Sequence, residues 1–324
     1  MKMAMQSRMK YIRSLVLFVV VIFVTQYITT ALNTNKKRNI ETLHVQQKHL
    51  SSLIEAKRRA RDETCGVMLN VITTFPMLKS TYDMKSHGFF KESHEKFESR
   101  QMDFVHSLAL NMKHPCVEKI HLLVENMDLE SYLKSMNTTL FSAPDINTMV
   151  HFHKVRSFPT YKDYAKYANE HLMSKNIAVM NADISLGDGF DRIKESYLID
   201  RQVAYCLTRH SSLLPNCTFN RNFCSRHYFG SHDVHIMFMK EAFDNWSLDF
   251  LDFPINLLGV ENLLMYIITA KLNKTGLNPC SILKSHHNHC SGLRTVDTVN
   301  KSKRINIGPN ANYSTRISFS KRLF

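Results

Sequence analysis

Residues 177–183 read IAVMNAD, four apolar residues followed at once by Asn181, Ala182 and Asp183. A run this short and this apolar is typical of a strand that is buried on both faces. In an open α/β sheet, ligands bind beyond the carboxyl ends of such strands. The stretch therefore predicts a central strand with polar side chains at the edge of the sheet where a ligand binds.

The chain on either side of this strand alternates short apolar runs with amphipathic stretches. Strands are predicted at 67–74, 117–125, 149–155, 203–207, 234–239 and 281–284, and helices at 93–111, 129–136, 161–172 and 261–271. This order predicts one α/β domain over residues 65–293, built on a mostly parallel sheet with helices on both faces.

The formal net charge of +14 is concentrated at the two ends of the chain. Residues 1–61 carry 12 basic and 2 acidic side chains, and residues 294–324 carry 7 and 1. The 232 residues between them carry 23 basic and 25 acidic side chains. A nearly neutral body lacks the basic face of a nucleic-acid-binding domain. We therefore expect no nucleic-acid partner, and we assign residues 294–324 to a basic C-terminal tail.

Residues 14–32 contain no charged side chain, and residues 15–24 are all apolar. A helix of about 20 apolar residues spans the hydrocarbon core of a bilayer. We predict a transmembrane signal-anchor at 14–32, with a cytoplasmic stub at 1–13 because its basic residues favour that orientation. A cleaved signal peptide is the alternative, since the apolar run also suits an h-region. Both alternatives deliver the rest of the chain to the secretory lumen.

Residues 33–64 are polar and basic and contain neither Gly nor Pro, which predicts a stem. Side chains spaced by three and four within it form a short coiled-coil-like seam that would allow a homodimer through the stem. Luminal exposure agrees with six N-x-[ST] glycosylation acceptors. The acceptors are Asn137, Asn216, Asn245, Asn273, Asn300 and Asn312.

All seven cysteines follow the apolar run, and an oxidising compartment lets cysteines pair. We expect a disulfide between Cys217 and Cys224, which share a short polar loop, and a second between Cys280 and Cys290. No C-x-x-C pair occurs in the chain, so a zinc site made of cysteines is not expected.

Two segments offer ligands for a divalent metal ion. Asp183 stands at a strand end, where its carboxylate can bind a hard cation that also holds a diphosphate. Residues 283–294 contain His286, His287 and His289, and imidazole binds Mn²⁺-like ions. The structural alternatives are that Asp183 caps the segment 184–193 and that the histidines lie in a solvated loop.

Residues 258–262, LGVEN, place Glu261 behind a glycine turn at the start of a predicted helix. The positive end of a helix stabilises a carboxylate. At the mouth of a cleft such a group can accept the proton of an attacking hydroxyl. Helix capping is the alternative role for this residue.

Together these features resemble the nucleotide-sugar glycosyltransferases of the GT-A fold, a Rossmann-like α/β fold. The Asn181–Asp183 segment is similar to the Asp-x-Asp element of that superfamily, and Gly259-x-Glu261-Asn262 is similar to its Gly-x-Glu-Asp element. Residues 66–294 also resemble a little-characterised group of predicted glycosyltransferases. This likeness rests on Arg100-Gln101, 114–125, 160–169, 181–184, 231–233 and His287-x-His289-x-Ser291-x-x-Arg294.

The resemblance implies roles for particular residues. Asp183 would hold Mn²⁺ or Mg²⁺ together with His287 or His289. Glu261 would be the catalytic base of an inverting reaction, and Asp233 a second catalytic-site residue that binds sugar hydroxyls. The donor nucleotide and its diphosphate would be bound by Val71, Thr73, Thr74, Arg156 and Asn181.

Arg100 is a further candidate for the diphosphate, because guanidinium groups match phosphate oxygens, although a structural ion pair is favoured for it. Two positions depart from the superfamily pattern: Asn181 replaces the first acidic residue of the Asp-x-Asp element, and Asn262 replaces the Asp of the Glu-Asp pair. With these departures, two alternatives stay open: a member of the superfamily that is inactive, and one that acts without a metal ion.

The implied function is transfer of a sugar from a nucleotide-sugar donor to a glycan or glycoprotein acceptor. The implied setting is a single-pass type II protein of the Golgi or ER membrane with a luminal catalytic domain. Two alternatives remain: a catalytically inactive glycan-binding protein with a transferase fold, and a metal-dependent hydrolase built on the same sheet.

Overall fold

The computed structural model of the protein describes residues 65–78, 94–136, 138–214, 217, 221–228, 230–293, 305, 312–313 and 317–324. Its strands are β1 (Leu69–Thr73), β2 (Val117–Val124), β3 (Val150–Lys154), β4 (Asn176–Met180), β5 (Ile184–Leu186), β6 (Val203–Leu207), β7 (Val234–Phe238), β8 (Thr275–Leu277) and β9 (Ser285–His287). Its α-helices are α1 (His94–Met112), α2 (Asp128–Ser135), α3 (Ala143–Met149), α4 (Tyr161–His171), α5 (Glu195–Leu198), α6 (Asn245–Phe250) and α7 (Val260–Tyr266). A π-helix, Ile267–Lys271, continues α7, and a 3₁₀-helix spans Phe190–Arg192.

Seven strands form one sheet in the order β3-β2-β1-β4-β7-β6-β8. The first four run parallel, and β7 is antiparallel to both of its neighbours. Because β7 is antiparallel to both β4 and β6, these two strands run in the same direction. The last strand, β8, pairs parallel with β6. The predicted mostly parallel sheet is confirmed.

Helices cover both faces of this sheet. Successive side chains of a strand point to opposite faces, and in β1 Val71 packs into the apolar cluster that contains Phe104 of α1, while Ile72 packs into the cluster that contains Tyr164 of α4. All four side chains are buried. The alternation explains why the central strands contain no polar face.

A second, two-stranded sheet pairs β5 with β9 in antiparallel register, with Ile184 opposite His287. The predicted strand at 281–284 is therefore wrong, because the strand begins at Ser285 and contains His286 and His287. Asp183 leads directly into β5 and does not cap a helix. Asn111 of α1 holds the free edge of β5: its amide donates to the Ile184 carbonyl at 2.8 Å and accepts from the Leu186 N–H at 2.9 Å.

Three disulfides connect distant parts of the chain. They are Cys65–Cys116, Cys217–Cys290 and Cys224–Cys280, with sequence separations of 51, 73 and 56. The predicted pairs Cys217–Cys224 and Cys280–Cys290 are wrong, because the two polar loops that carry these cysteines are linked to each other and not closed on themselves. Cys206 is a free, buried thiol of β6.

The predicted localisation, a single-pass type II protein of the Golgi or ER membrane, has to be corrected. No helix within the described ranges is both long and apolar enough to cross a membrane. The predicted stub, anchor and stem (1–13, 14–32 and 33–64) lie outside the described residues, as does most of the C-terminal tail. The end of that tail packs on the domain, where Leu323 is buried and its carbonyl accepts a hydrogen bond from Tyr205.

We expect Asn111→Ala to destabilise the domain by about 2–4 kcal/mol, because it leaves two buried backbone groups of β5 without a partner. Urea unfolding of the full chain followed by circular dichroism measures this loss. Asn147→Ala, on the exposed face of α3, is the matched control and should stay within about 0.5 kcal/mol of wild type. Equal midpoints for Asn111→Ala and wild type would contradict the role of this amide.

Candidate active site

Four strand ends meet at one edge of the large sheet. The carboxyl ends of β1, β4 and β6 share this edge with the amino end of antiparallel β7. Thr74 follows β1 and Asp183 follows β4. Arg209 follows β6 and Asp233 precedes β7. All four residues line a single cleft of about 540 Å³, at the edge where open α/β sheets bind ligands.

Asp183, His287 and His289 form a buried group that can hold a metal ion, with one ligand atom of each lying within 4.8 Å of the others. The His287 Nε2–H donates to Asp183 Oδ2 at 3.0 Å, and His289 Nδ1 lies 3.9 Å from the same oxygen. Burial alone would raise the pKa of Asp183, but the charges of His287 and Arg100 hold that pKa well below its usual value. The carboxylate is thus ionised and available as a ligand.

The protonation of His289 also suits metal binding. Its Nε2 lies 2.6 Å from the Leu293 carbonyl, which can only accept, so this nitrogen carries the proton. Burial and the charge of Arg100 lower the pKa of His289 to about 2. The neutral ring therefore turns the lone pair of Nδ1 toward Asp183, and a backbone carbonyl that orients a ligand histidine in this way is typical of metal centres.

Two buried anchors fix the histidine segment against α1. Asn288 donates to Ser107 Oγ at 3.0 Å and to Ser185 Oγ at 3.2 Å. Asp103 accepts from the Cys290 N–H at 3.0 Å and from the Ser291 hydroxyl at 2.6 Å. His289 lies between the two anchors in the sequence and His287 directly precedes the first, so the backbone that carries both rings is held against α1.

The chemistry of the three ligand atoms indicates which metal ions this group can bind. Two imidazole nitrogens and one carboxylate oxygen, with open positions toward a cleft, are the ligands of many catalytic first-row metal sites. Mg²⁺ prefers oxygen ligands in octahedral geometry. The residues present therefore fit a divalent transition-metal ion.

Glu261 lies in the first turn of α7 and lines the same cleft. Its Oε1 accepts from Ser231 Oγ at 2.7 Å, and its Oε2 accepts from the Gly259 N–H at 3.0 Å. Gly259 has a φ of +89°, which glycine adopts without strain. Burial raises the pKa of Glu261, so this carboxyl takes up a proton more readily than an exposed one.

Asp233 and Arg209 form a second ionic pair in the cleft. Arg209 Nη1 donates to Asp233 Oδ1 at 2.7 Å, and Asn181 Nδ2 donates to the same oxygen at 3.3 Å. Within the described part of the chain, Asp233 Oδ2 and Arg209 Nε have no hydrogen-bond partner. Arg209 was missed by the sequence analysis, although its place two residues beyond a buried strand is the signal that identified Asp183.

An aromatic wall, defined here as Phe223 and Tyr228, closes one side of the cleft. The two rings stack with centroids 4.5 Å apart, and the guanidinium of Arg209 lies 4.9 Å from the Phe223 centroid. The Cys224–Cys280 disulfide anchors the loop that carries both rings. These aromatic residues lie in a polar segment that gave no pattern in the sequence.

The remaining predicted donor-binding residues occupy different places. Thr74 and Asn181 line the cleft, whereas Val71, Thr73 and Arg156 are not among the residues that line it. Val71 is fully buried in the core under α1, and Arg156 is exposed beyond the edge strand β3. Arg100 lines the cleft and bonds to Asp183.

Comparison with known protein families finds no matching family model, and comparison with curated proteins finds no matching sequence. Among solved structures, the chain is similar to HddC from Yersinia pseudotuberculosis (16% identity, 53% of this chain and 78% of that one, TM-score 0.30). It is also similar to a UDP-glucose pyrophosphorylase from Acinetobacter baumanii (11% identity, 68% and 86% covered, TM-score 0.29). At these TM-scores neither similarity carries an argument about function.

We expect His287→Ala and His289→Ala each to weaken binding of Co²⁺ at least about tenfold, because each removes one of three protein ligands. Titration of the full chain, followed by the visible absorption of bound Co²⁺, measures the affinity. His227→Ala, an exposed histidine near the cleft, is the matched control and should bind like wild type. Unchanged affinity in both cleft variants would exclude this metal centre.

Proposed function

We propose that the chain is a metal-dependent glycosyltransferase that moves a sugar from a nucleotide-sugar donor to a hydroxyl of a glycan or glycoprotein. The observation that carries the proposal is that one cleft combines the Asp183, His287 and His289 group with the separate buried carboxyl of Glu261. A transferase needs two such parts: one that stabilises the leaving diphosphate and one that takes the proton of the acceptor.

The Asp183 side of the cleft would bind the donor diphosphate. Asp183, His287 and His289 would hold a divalent ion there, which would supply Lewis-acid stabilisation of the phosphate oxygens. Of the two predicted ions, Mn²⁺ agrees with the imidazole ligands better than Mg²⁺ does. Arg209 also lines this cleft, and its charge is neutralised by Asp233, so the pair presents polar groups to a sugar without adding net charge.

The Glu261 side of the cleft would activate the acceptor. In an inverting transfer the acceptor oxygen forms a bond to the anomeric carbon, the bond from that carbon to the diphosphate oxygen breaks, and the acceptor proton passes to Glu261. The raised pKa of Glu261 suits this role, because a base is most effective when its pKa approaches the working pH. Ser231 and Gly259 hold both of its oxygens in place.

A second candidate is a glycan-binding protein with a transferase fold and no catalysis. The observation that favours it is that the amide of Asn181 bonds to Asp233 and adds no second carboxylate to the metal group. This candidate shares the cleft with the first but requires no turnover of a donor.

Cleavage of a panel of nucleotide sugars by the full chain with Mn²⁺ distinguishes the two candidates. We expect wild type to release nucleoside diphosphate from at least one donor in the presence of acceptor glycans. Asp183→Asn should reduce that release by at least about 100-fold, since it removes the only carboxylate of the metal group. Asp188→Asn, five residues away and exposed, should act like wild type. If wild type cleaves none of the donors, the glycosyltransferase proposal is excluded and the glycan-binding protein remains.

The pH dependence tests the role of Glu261. A base acts only when deprotonated, so kcat/KM should fall as the pH drops through the pKa of Glu261. Burial raises that pKa, so this acid limb lies at higher pH than an exposed glutamate would give. Glu261→Gln should lower kcat roughly 10²–10⁴-fold and remove the limb, while the KM for the donor changes little. Exposed Glu195→Gln is the control. An intact acid limb in Glu261→Gln would assign the base to another group.

A further inference from the structure

Arg100 makes a close ion pair with the only carboxylate of the metal group. Its Nη2 lies 2.5 Å from Asp183 Oδ2, the oxygen that His287 and His289 also face. The side chains of Arg100 and Asp183 are both about nine-tenths buried. An ion bound by these ligands lies about 2 Å from each ligand atom. Arg100 therefore occupies space and lone pairs that the ion needs.

The charges around this oxygen do not favour an ion on its own. Arg100 cannot lose its proton in a protein, so its positive charge stays beside the ion. Among the described residues, the buried acidic groups that pair with Arg100 are the carboxylates of Asp183 and Asp103. Both histidines add no charge in the form that ligates a metal. A divalent ion would thus give this buried cluster a net positive charge, which is costly unless a further anion enters.

Arg100 has other contacts that would keep it in place after it releases Asp183. Its Nη1 donates to Asp103 at 3.2 Å, and its guanidinium lies 4.4 Å from the ring centroid of Phe104. Both partners lie within about one turn of α1, and Arg100 and Phe104 both line the cleft. A small rotation would free Asp183 while the guanidinium remains beside the ligand.

We propose that Arg100 is an internal cation that competes with the metal for Asp183 and thereby makes metal binding depend on an anionic co-ligand of diphosphate type. The anion supplies the negative charge that the ion and Arg100 require together. This inference rests on the metal centre of the proposed function and adds a binding order: metal and diphosphate bind together, and each binds weakly alone.

The test is the affinity of the full chain for Mn²⁺, with and without inorganic pyrophosphate, measured by the enhancement of water-proton relaxation. That signal grows when the ion is bound to a macromolecule, so it separates the ternary complex from Mn²⁺ pyrophosphate in solution. We expect pyrophosphate to raise the affinity of wild type for Mn²⁺ at least tenfold. Arg100→Gln should bind Mn²⁺ alone at least tenfold more tightly than wild type and gain less from pyrophosphate.

Two further variants assign the effect to the charge. Arg100→Lys keeps the charge and should bind Mn²⁺ within about threefold of wild type. Arg192→Gln removes an exposed arginine and should not differ from wild type. If Arg100→Gln binds Mn²⁺ no more tightly than wild type, the competition does not exist. If Arg100→Gln does not fold, a pyrophosphate gain below threefold in wild type overturns the proposal.

These outcomes are separate from the failure of the proposed function. A chain that cleaves no nucleotide sugar can still show the competition between Arg100 and Mn²⁺, and the proposal then stands for a binding protein. A chain that binds no Mn²⁺ with or without pyrophosphate overturns both this proposal and the metal centre. A chain that cleaves donors but shows equal Mn²⁺ affinity in wild type and Arg100→Gln overturns only the role of Arg100.

Discussion

The buried carboxylate of Asp183 is the group around which the cleft is organised. An ionised carboxyl can stay inside a protein only if cations and hydrogen-bond donors surround it. Here those partners come from distant parts of the chain: Arg100 from α1, and His287 and His289 from the segment between Cys280 and Cys290. Packing that brings these elements together is therefore a condition for keeping Asp183 charged.

The supporting structure meets this condition through polar contacts that are themselves buried. The pairing of β5 with β9 sets His287 opposite Ile184, next to Asp183. Asp103, bonded to Ser291 on one side and to Arg100 on the other, connects the histidine segment to the guanidinium. Each buried polar group is costly alone and stable only with its partners present. The network is consequently cooperative, which suits a site that must hold its geometry.

Sequence patterns predicted the parts of this fold that depend on local periodicity. The apolar runs identified β1, β4 and β6, and the strand-end rule singled out Asp183 before any contact was known. The patterns failed where contacts between distant parts of the chain determine the structure. The strand β9 consists of Ser and His and forms because it pairs with β5. Cys217 bonds to Cys290, which is 73 residues away. Arg209 follows a buried strand just as Asp183 does. Its place in the same cleft depends on β7, which is antiparallel to both β4 and β6 and so leaves the ends of those two strands at one edge of the sheet.

The departure from the Asp-x-Asp pattern at Asn181 has a local physical reason. The Asn181 amide donates to Asp233 Oδ1 at 3.3 Å, and Arg209 donates to the same oxygen. An aspartate at 181 would set a second carboxylate close to the buried carboxylate of Asp233, where like charges repel. The amide instead adds a hydrogen bond, and Asp233 remains paired with Arg209 alone. Asn181 thus contributes an amide and not a carboxylate to the cleft, and each of the two ion pairs there, Arg100 with Asp183 and Arg209 with Asp233, joins one positive and one negative charge. Under the proposed function, charges balanced in this way would let an anionic donor and its ion enter together.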